Sequence, residues 1–152
     1  MAEKSKYNVD LTAEKRTYNG IVFASVLEMR FYRDVVKDLL SSGKISAADM
    51  QKVYVLQEGF VYRGKKVPPI TYKADFVFYM ADGKEIVIDT KGCPDDAARI
   101  KRKLFWWVYP NIDYYWVGYS KIDGGWVPWE TIQKGRSQRR REKRKEQKYE
   151  KS

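Results

Sequence analysis

Three carboxylates, with a lysine beside one of them, stand where the local pattern calls for an apolar residue or a turn. Asp89 closes the apolar run Ile86-Val87-Ile88 and is followed by Thr90 and Lys91. Side chains two apart on a strand share a face, so Asp89 and Lys91 point the same way. Asp75 interrupts a second apolar run, Ala74 to Met80, and thirteen residues separate it from Asp89. A tight hairpin between the two runs brings both carboxylates side by side. Glu28 falls near the angular position of Tyr32, Val35 and Leu39 on a helix, along its inward stripe. Two strand carboxylates, a lysine beside the second and a helix glutamate form an oxygen-ligand set suited to Mg²⁺. Such a metal activates water and offsets charge developing on a phosphodiester. Simpler readings stay open for each residue alone. Glu28 also fits the third position of a capping box behind Ser25. Asp75 could face solvent on an edge strand, and Asp89 could serve only as a salt-bridge partner of Lys91.

Composition narrows the chemistry further. The 152 residues contain no histidine and one cysteine, Cys93. Serine-histidine and cysteine-histidine catalysis, histidine-containing zinc sites and an intrachain disulfide are therefore excluded. Hydrolysis is left to carboxylates, lysine or a metal held by oxygen. A hydrophobic fraction of 43% suffices for a core in a single domain. No run is apolar enough for a membrane span, and the start, MAEKSKYNVD, lacks the pattern of a secretory signal. The expected compartment is the cytoplasm.

The net charge of +10 is unevenly spread. Residues 133–152 hold ten Lys or Arg and three Glu, a net of +7, which leaves +3 for the rest. This segment has no apolar stripe, so it reads as a solvated helix, with Ser137 available as a cap, or as a disordered tail. Arg136, Arg139, Arg140, Arg141, Lys143, Arg144 and Lys145 suit an arm that neutralises nucleic-acid phosphates. A solubilising tail is the bland alternative, and bulky apolar anchors for a membrane are lacking.

Three stretches follow: a mobile lead at 1–18, a folded unit at 19–132 and a basic tail at 133–152. Tyr18-Asn19-Gly20 signals a turn. Ser25 to Ser41 reads as a helix ended by Ser42-Gly43, and Ser46 onward as a short helical turn. Strands are expected at Val53 to Tyr62, broken near Gly59, at Tyr72 to Met80, and at Glu85 to Asp89. Asp82-Gly83 joins the last two as a hairpin. A second helix spans Asp95 to Tyr109, and a fourth strand Asp113 to Tyr119. The order, helix, three strands, helix, strand, predicts an α/β fold with a mixed sheet, since the last two strands are joined by a right-handed crossover.

At Asp75, Asp89-Thr90-Lys91 and Glu28 the chain resembles the PD-(D/E)XK nuclease superfamily, whose restriction-endonuclease-like core has the order α-β-β-β-α-β. The resemblance implies that Asp75 and Asp89 ligate Mg²⁺ or Mn²⁺, with the backbone carbonyl of Thr90 as a further ligand. Lys91 would position or deprotonate the attacking water, and Glu28 would serve a second metal or metal-bound water. A closer resemblance is to small phage-encoded proteins regarded as nucleases of this type. It rests on Tyr18 to Ser25 leading into Glu28, on Gln57, Ala74-Asp75-Phe76 and Asp89-Thr90-Lys91-Gly92, and on the basic-aromatic helix ending at Tyr109-Pro110. It covers roughly residues 15–120. Ala74 replaces the usual proline, and Asp89 the commoner glutamate. By analogy with Holliday-junction resolvases, the implied substrate is branched DNA, and the implied assembly is a possible homodimer.

Arg99, Lys101, Arg102 and Lys103 on the second helix are candidates for phosphate contact. Leu104, Trp107 and Val108 are expected in the core, while Trp116, Trp126 and Trp129 admit either packing or base stacking. Gln57 could orient water or ligands, or simply be a strand glutamine. The expected activity is a metal-dependent DNA endonuclease. The competing reading is a nucleic-acid-binding accessory module without catalysis.

Overall fold

In the computed structural model, which describes residues 12–151, the Tyr18-Asn19-Gly20 signal forms a two-residue hairpin. Strands β1 (Thr17–Tyr18) and β2 (Ile21–Val22) pair antiparallel around Asn19 and Gly20, both at positive φ. That is the backbone a primed turn demands. Of the lead at 1–18, residues 1–11 lie outside the described residues, and Ala13–Arg16 form a 3-10 turn.

Ser25 caps the first helix as expected, accepting the Glu28 N–H at 3.1 Å. Helix α1 (Val26–Phe31) runs through a π-helical turn, Tyr32–Val36, into α2 (Lys37–Ser41). A π turn bonds five residues apart, so the buried line passes from Phe31 to Val36. Glu28 and Met29 lie on that inward side.

The segment after Ser46 is not a helical turn. Ala47–Met50 is strand β3, paired antiparallel with β8 (Phe76–Tyr79). The expected strand at 53–62 is two pieces, β4 (Val53–Gln57) and β5 (Phe60–Tyr62), and neither joins the main sheet. β5 pairs with β6 (Lys65–Val67), and β4 with β7 (Ile70–Lys73). Aromatic contacts explain why this ribbon docks apart from the main sheet. The Tyr54 and Tyr72 rings meet Phe105 at 5.2 and 5.7 Å between centroids, and the Tyr109 hydroxyl donates to Val55 O at 2.8 Å.

The run at 72–80 likewise divides at Ala74-Asp75. Before it the chain pairs with β4, and after it β8 pairs with β3 and with β9 (Glu85–Thr90). Gly83, at positive φ, makes the β8–β9 hairpin possible. Helix α3 (Asp96–Val108) begins at Asp95, whose carboxylate accepts from Ala98 N–H. Strand β10 (Asp113–Ser120) returns parallel to β9, and β11 (Gly125–Pro128) pairs antiparallel at its far side. The mixed sheet has the order β11-β10-β9-β8-β3. It is buried on both faces, with Phe76, Phe78 and Ile88 toward the first helix. Val77, Val87, Tyr114 and Trp116 face α3 and the β4–β7 ribbon. This is an α/β architecture.

The basic segment is helical and starts earlier than its charge suggests. Helix α4 (Trp129–Glu150) is anchored by the buried Trp129 and Ile132, which leaves Ser137 inside the helix instead of capping it. Gly118 permits that anchorage, since a Cβ there would lie 2.7 Å from Ile132 Cδ1 and 3.0 Å from the Lys91 carbonyl. Arg139 then grips Asp123 with two hydrogen bonds, at 2.8 and 3.1 Å. Arg139, aided by the Ser120 hydroxyl, holds the Asp123 carboxyl down at about 2. A depressed carboxyl stabilises the fold above its ordinary value of 3.8, and the contribution disappears as pH falls through about 2. Melting temperatures taken between pH 4 and pH 2 should therefore fall less steeply for Asp123→Asn than for the parent protein. Among the described residues, no helix is long and apolar enough to cross a membrane.

Candidate active site

Asp75, Asp89 and Lys91 line one cleft of about 360 Å³, together with Tyr72, Lys101 and Tyr114 among others. Each reaches it for a local reason. Asp75 sits where the chain leaves the ribbon for the main sheet. Its carboxylate is pinned by Thr90, whose backbone N–H and hydroxyl both donate to Oδ2, at 2.8 and 2.9 Å. Asp89 shares a strand face with Val87 and is 2% exposed. Lys91 follows the end of β9, anchored by its N–H to Val117 O at 2.8 Å. Its ammonium lies 2.5 Å from Asp89 Oδ2 and 5.6 Å from the centre of the Trp116 ring.

Glu28, buried on α1, lies beside Asp75 but lines a separate hollow with Met50 and Gln51, outside the cleft itself. Its N–H is capped by Ser25, while its carboxylate accepts from the Ser25 hydroxyl at 3.2 Å and from Gln51 Nε2 at 3.0 Å.

The electrostatics show that the three acids sense one another. Burial pushes the Asp75 carboxyl well above its ordinary range, and the negative charges of Asp89 and Glu28 push it further. Burial raises Glu28 as well; the Ser25 hydroxyl opposes this and the Asp89 charge adds to it. Asp75 and Asp89 thus crowd like charge at one point of a cleft that Lys73, Lys91 and Lys101 also line. A buried pair of phenols, Tyr72 and Tyr114, lies beside it, and burial raises both. Among the described residues no three acidic or thiol side chains converge as a ready-made metal cage. A donor set of two carboxylates completed by water is nevertheless what Mg²⁺ commonly takes. Two buried carboxyls brought close enough for the charge of Asp89 to raise Asp75 fit a divalent cation held by Asp75 and Asp89.

The remaining sequence candidates divide. On α3, Lys101 lines the cleft. Arg102 is engaged elsewhere, with its guanidinium 3.8 Å from the centre of the Trp116 ring and ion-paired with Glu130 at 2.8 Å. Arg99 lies over Trp129 at 5.4 Å, and Lys103 is exposed. Gln57 ends β4, exposed and outside the cleft lining. Thr90 acts through its N–H and hydroxyl on Asp75. On α4, Arg139 is committed to Asp123, whereas Arg136, Arg140, Arg141, Lys143, Arg144 and Lys145 are exposed. Trp107 is not in the core. It is 84% exposed, because Phe105 takes the inward position on α3 and places Trp107 about 200° round the helix. Val108 is exposed too. Trp116 and Trp129 are buried and meet edge to face at 5.5 Å. Trp126 donates to Asp34 at 3.0 Å.

Sequence reasoning missed Gln51 and Tyr72. Gln51 occupies the left-handed region at φ 60°, a conformation uncommon outside glycine, just after β3. Its only sequence signal was a polar residue ahead of an apolar strand. Tyr72 was hidden inside an ordinary strand pattern.

A mixed five-stranded sheet flanked by helices, with an acid-and-lysine cleft at the end of β9, defines an α/β protein with a polar, carboxylate-rich site. Residues 4–122 match the family described as protein of unknown function (DUF1064), and the chain belongs to that family. No curated protein matches it.

Proposed function

We propose that this protein is a metal-dependent endonuclease that hydrolyses phosphodiester bonds in DNA, acting on branched or otherwise non-B structures, including ones with unpaired strands. The observation that carries the reading is the meeting of Asp75, Asp89 and Lys91 in one cleft with Glu28 beside Asp75. The order of elements that brings them there is also that of the PD-(D/E)XK core. Asp75 and Asp89 would hold Mg²⁺ or Mn²⁺, which would supply Lewis-acid activation of water and neutralisation of phosphate charge. The protein's own groups do the rest. Thr90 fixes the Asp75 carboxylate, and Gln51 and Ser25 hold Glu28. Lys91, beside Asp89, would orient the attacking water through its ammonium or, as the neutral amine, take its proton. Lys101, on the cleft lining, offers a cation to a phosphate there.

The direct test incubates purified protein with Mg²⁺ or Mn²⁺ and branched, flapped, duplex and single-stranded DNA. Metal-dependent cleavage of at least one substrate is expected, and its loss in Asp89→Asn. Absence of cleavage on every substrate, or undiminished cleavage by the variant, overturns the reading.

The exposed cations of α4 supply affinity. Replacing Arg140, Arg141, Lys143, Arg144 and Lys145 with Gln should weaken DNA binding and flatten its salt dependence. The slope of log affinity against log salt should fall by about 0.9 for each duplex phosphate no longer neutralised. Anisotropy titrations at several salt concentrations measure both. Arg139 is left in place because it docks the helix on Asp123.

A further inference from the structure

The hairpin formed by β5 and β6 has the side chains of a core and the position of a surface. Phe60, Val61 and Tyr62 are 46%, 65% and 59% exposed. The two strands turn through Arg63 and Gly64, both at positive φ. The pairing Phe60↔Val67, Val61↔Lys66 and Tyr62↔Lys65 sorts the residues by face. Directly opposed residues share a side of a hairpin. Phe60, Tyr62, Lys65 and Val67 therefore occupy one side, and Val61 with Lys66 the other. The Arg63 guanidinium lies 5.4 Å from the centre of the Tyr62 ring. From Phe60 to Val67 there are three cations and no carboxylate.

A two-stranded hairpin gains little stability by itself, so exposed rings here are not required by the hairpin's own fold. Solvent-facing aromatics at alternate positions of a strand, interleaved with Lys and Arg, are what unpaired bases and their phosphates need. Phe60 and Tyr62 stand two residues apart, roughly 7 Å along the strand. That is about twice the ~3.4 Å repeat of stacked bases in a duplex, so the pair suits successive nucleotides drawn out of a helix. A protein partner would find the absence of carboxylates and the three cations costly unless it were strongly acidic. Nucleic acid supplies that charge at every nucleotide.

We infer that the Phe60–Val67 hairpin is a second nucleic-acid contact, which grips an unpaired DNA strand by stacking bases on Phe60 and Tyr62 while Arg63 and Lys65 meet its phosphates. The inference rests on the proposed DNA partner but not on the chemistry of the cleft. It gives the preference for unpaired structures a physical seat away from the carboxylates.

The test uses the full chain, without divalent metal, and fluorescence anisotropy with labelled oligothymidine and with a blunt duplex of equal length. Phe60→Ala combined with Tyr62→Ala should weaken oligothymidine binding at least about tenfold and duplex binding less than about twofold. Arg63→Gln with Lys65→Gln serves as a second variant that leaves the aromatic pair intact. It should lower the single-strand affinity and its salt slope together. Melting curves and circular dichroism establish that each variant folds. Oligothymidine binding unchanged in both variants overturns the inference, as does an equal loss on duplex and single strand. The two readings fail separately. Metal-dependent cleavage by a protein whose hairpin variants bind like the parent sinks the hairpin contact and leaves the nuclease. Hairpin-dependent binding by a protein that cleaves nothing does the reverse.

Discussion

Asp75→Asn should abolish cleavage, by at least about a thousandfold, without weakening the metal-free protein. The first half follows from removing one of two carboxylates proposed to hold the cation whose charge stabilisation drives the reaction. The second half follows from the electrostatics of the cleft. Asp75 is pushed well above its ordinary value of 3.8 by burial, then by Asp89 and Glu28. A carboxyl raised on folding contributes stability at pH below 3.8, and that contribution is lost as pH rises through the folded value. The neutral amide escapes this loss and keeps an oxygen that can accept from Thr90. In metal-free buffer the variant should melt level with the parent near pH 4 and progressively above it toward neutrality. Added Mg²⁺ should raise the melting temperature of the parent and leave the variant unmoved. Thermal melts with and without metal, run beside a cleavage assay, check all three statements. A variant that is inactive and also markedly less stable at neutral pH would show Asp75 to be structural.

Lys91 should separate chemistry from metal binding. Lys91→Met is expected to reduce cleavage by about 10²- to 10⁴-fold, the usual range for a group that handles a proton. Mg²⁺ affinity should stay the same or rise, because the ammonium that pairs with Asp89 Oδ2 at 2.5 Å competes for the same oxygen. Lys91→Arg sharpens the test. It keeps the positive charge but cannot give up its proton. Full activity in that variant would reduce Lys91 to a positioning charge. Titration calorimetry for metal and single-turnover cleavage for the reaction give the two readouts independently.

The legibility of the molecule in its sequence depended on whether a signal was local. Ser25 as a cap, Asn19-Gly20 and Asp82-Gly83 as turns, and Asp95 at the start of a helix are local signals, and each stands where the sequence puts it. The carboxylates were visible because a charge in an apolar strand conflicts with its own neighbourhood. What escaped was partner choice. Nothing between Ser46 and Lys73 says which run joins the main sheet. The short Ala47–Met50 does so, and the more apolar Val53–Gln57 docks on Phe105 and Tyr109 instead. The same long-range choice splits the chain at Asp75. Gln51 was invisible for a related reason, since its role depends on where α1 lies relative to the end of β3. Trp107 misled because a tryptophan among apolar residues looks buried until the helix phase is known.

The close approach at Gly118 also bears on where this molecule can be cut. The family match ends at residue 122, yet Trp129 and Ile132 are core residues, and Ile132 fills the space left open by Gly118 beside the Lys91 carbonyl. The smallest autonomous piece is thus set by packing and not by the matched stretch. A truncation at residue 122 strips Trp129 and Ile132 from beside Gly118 and the Lys91 carbonyl. One made after Arg139 keeps them and the clasp on Asp123, and removes only the cationic arm.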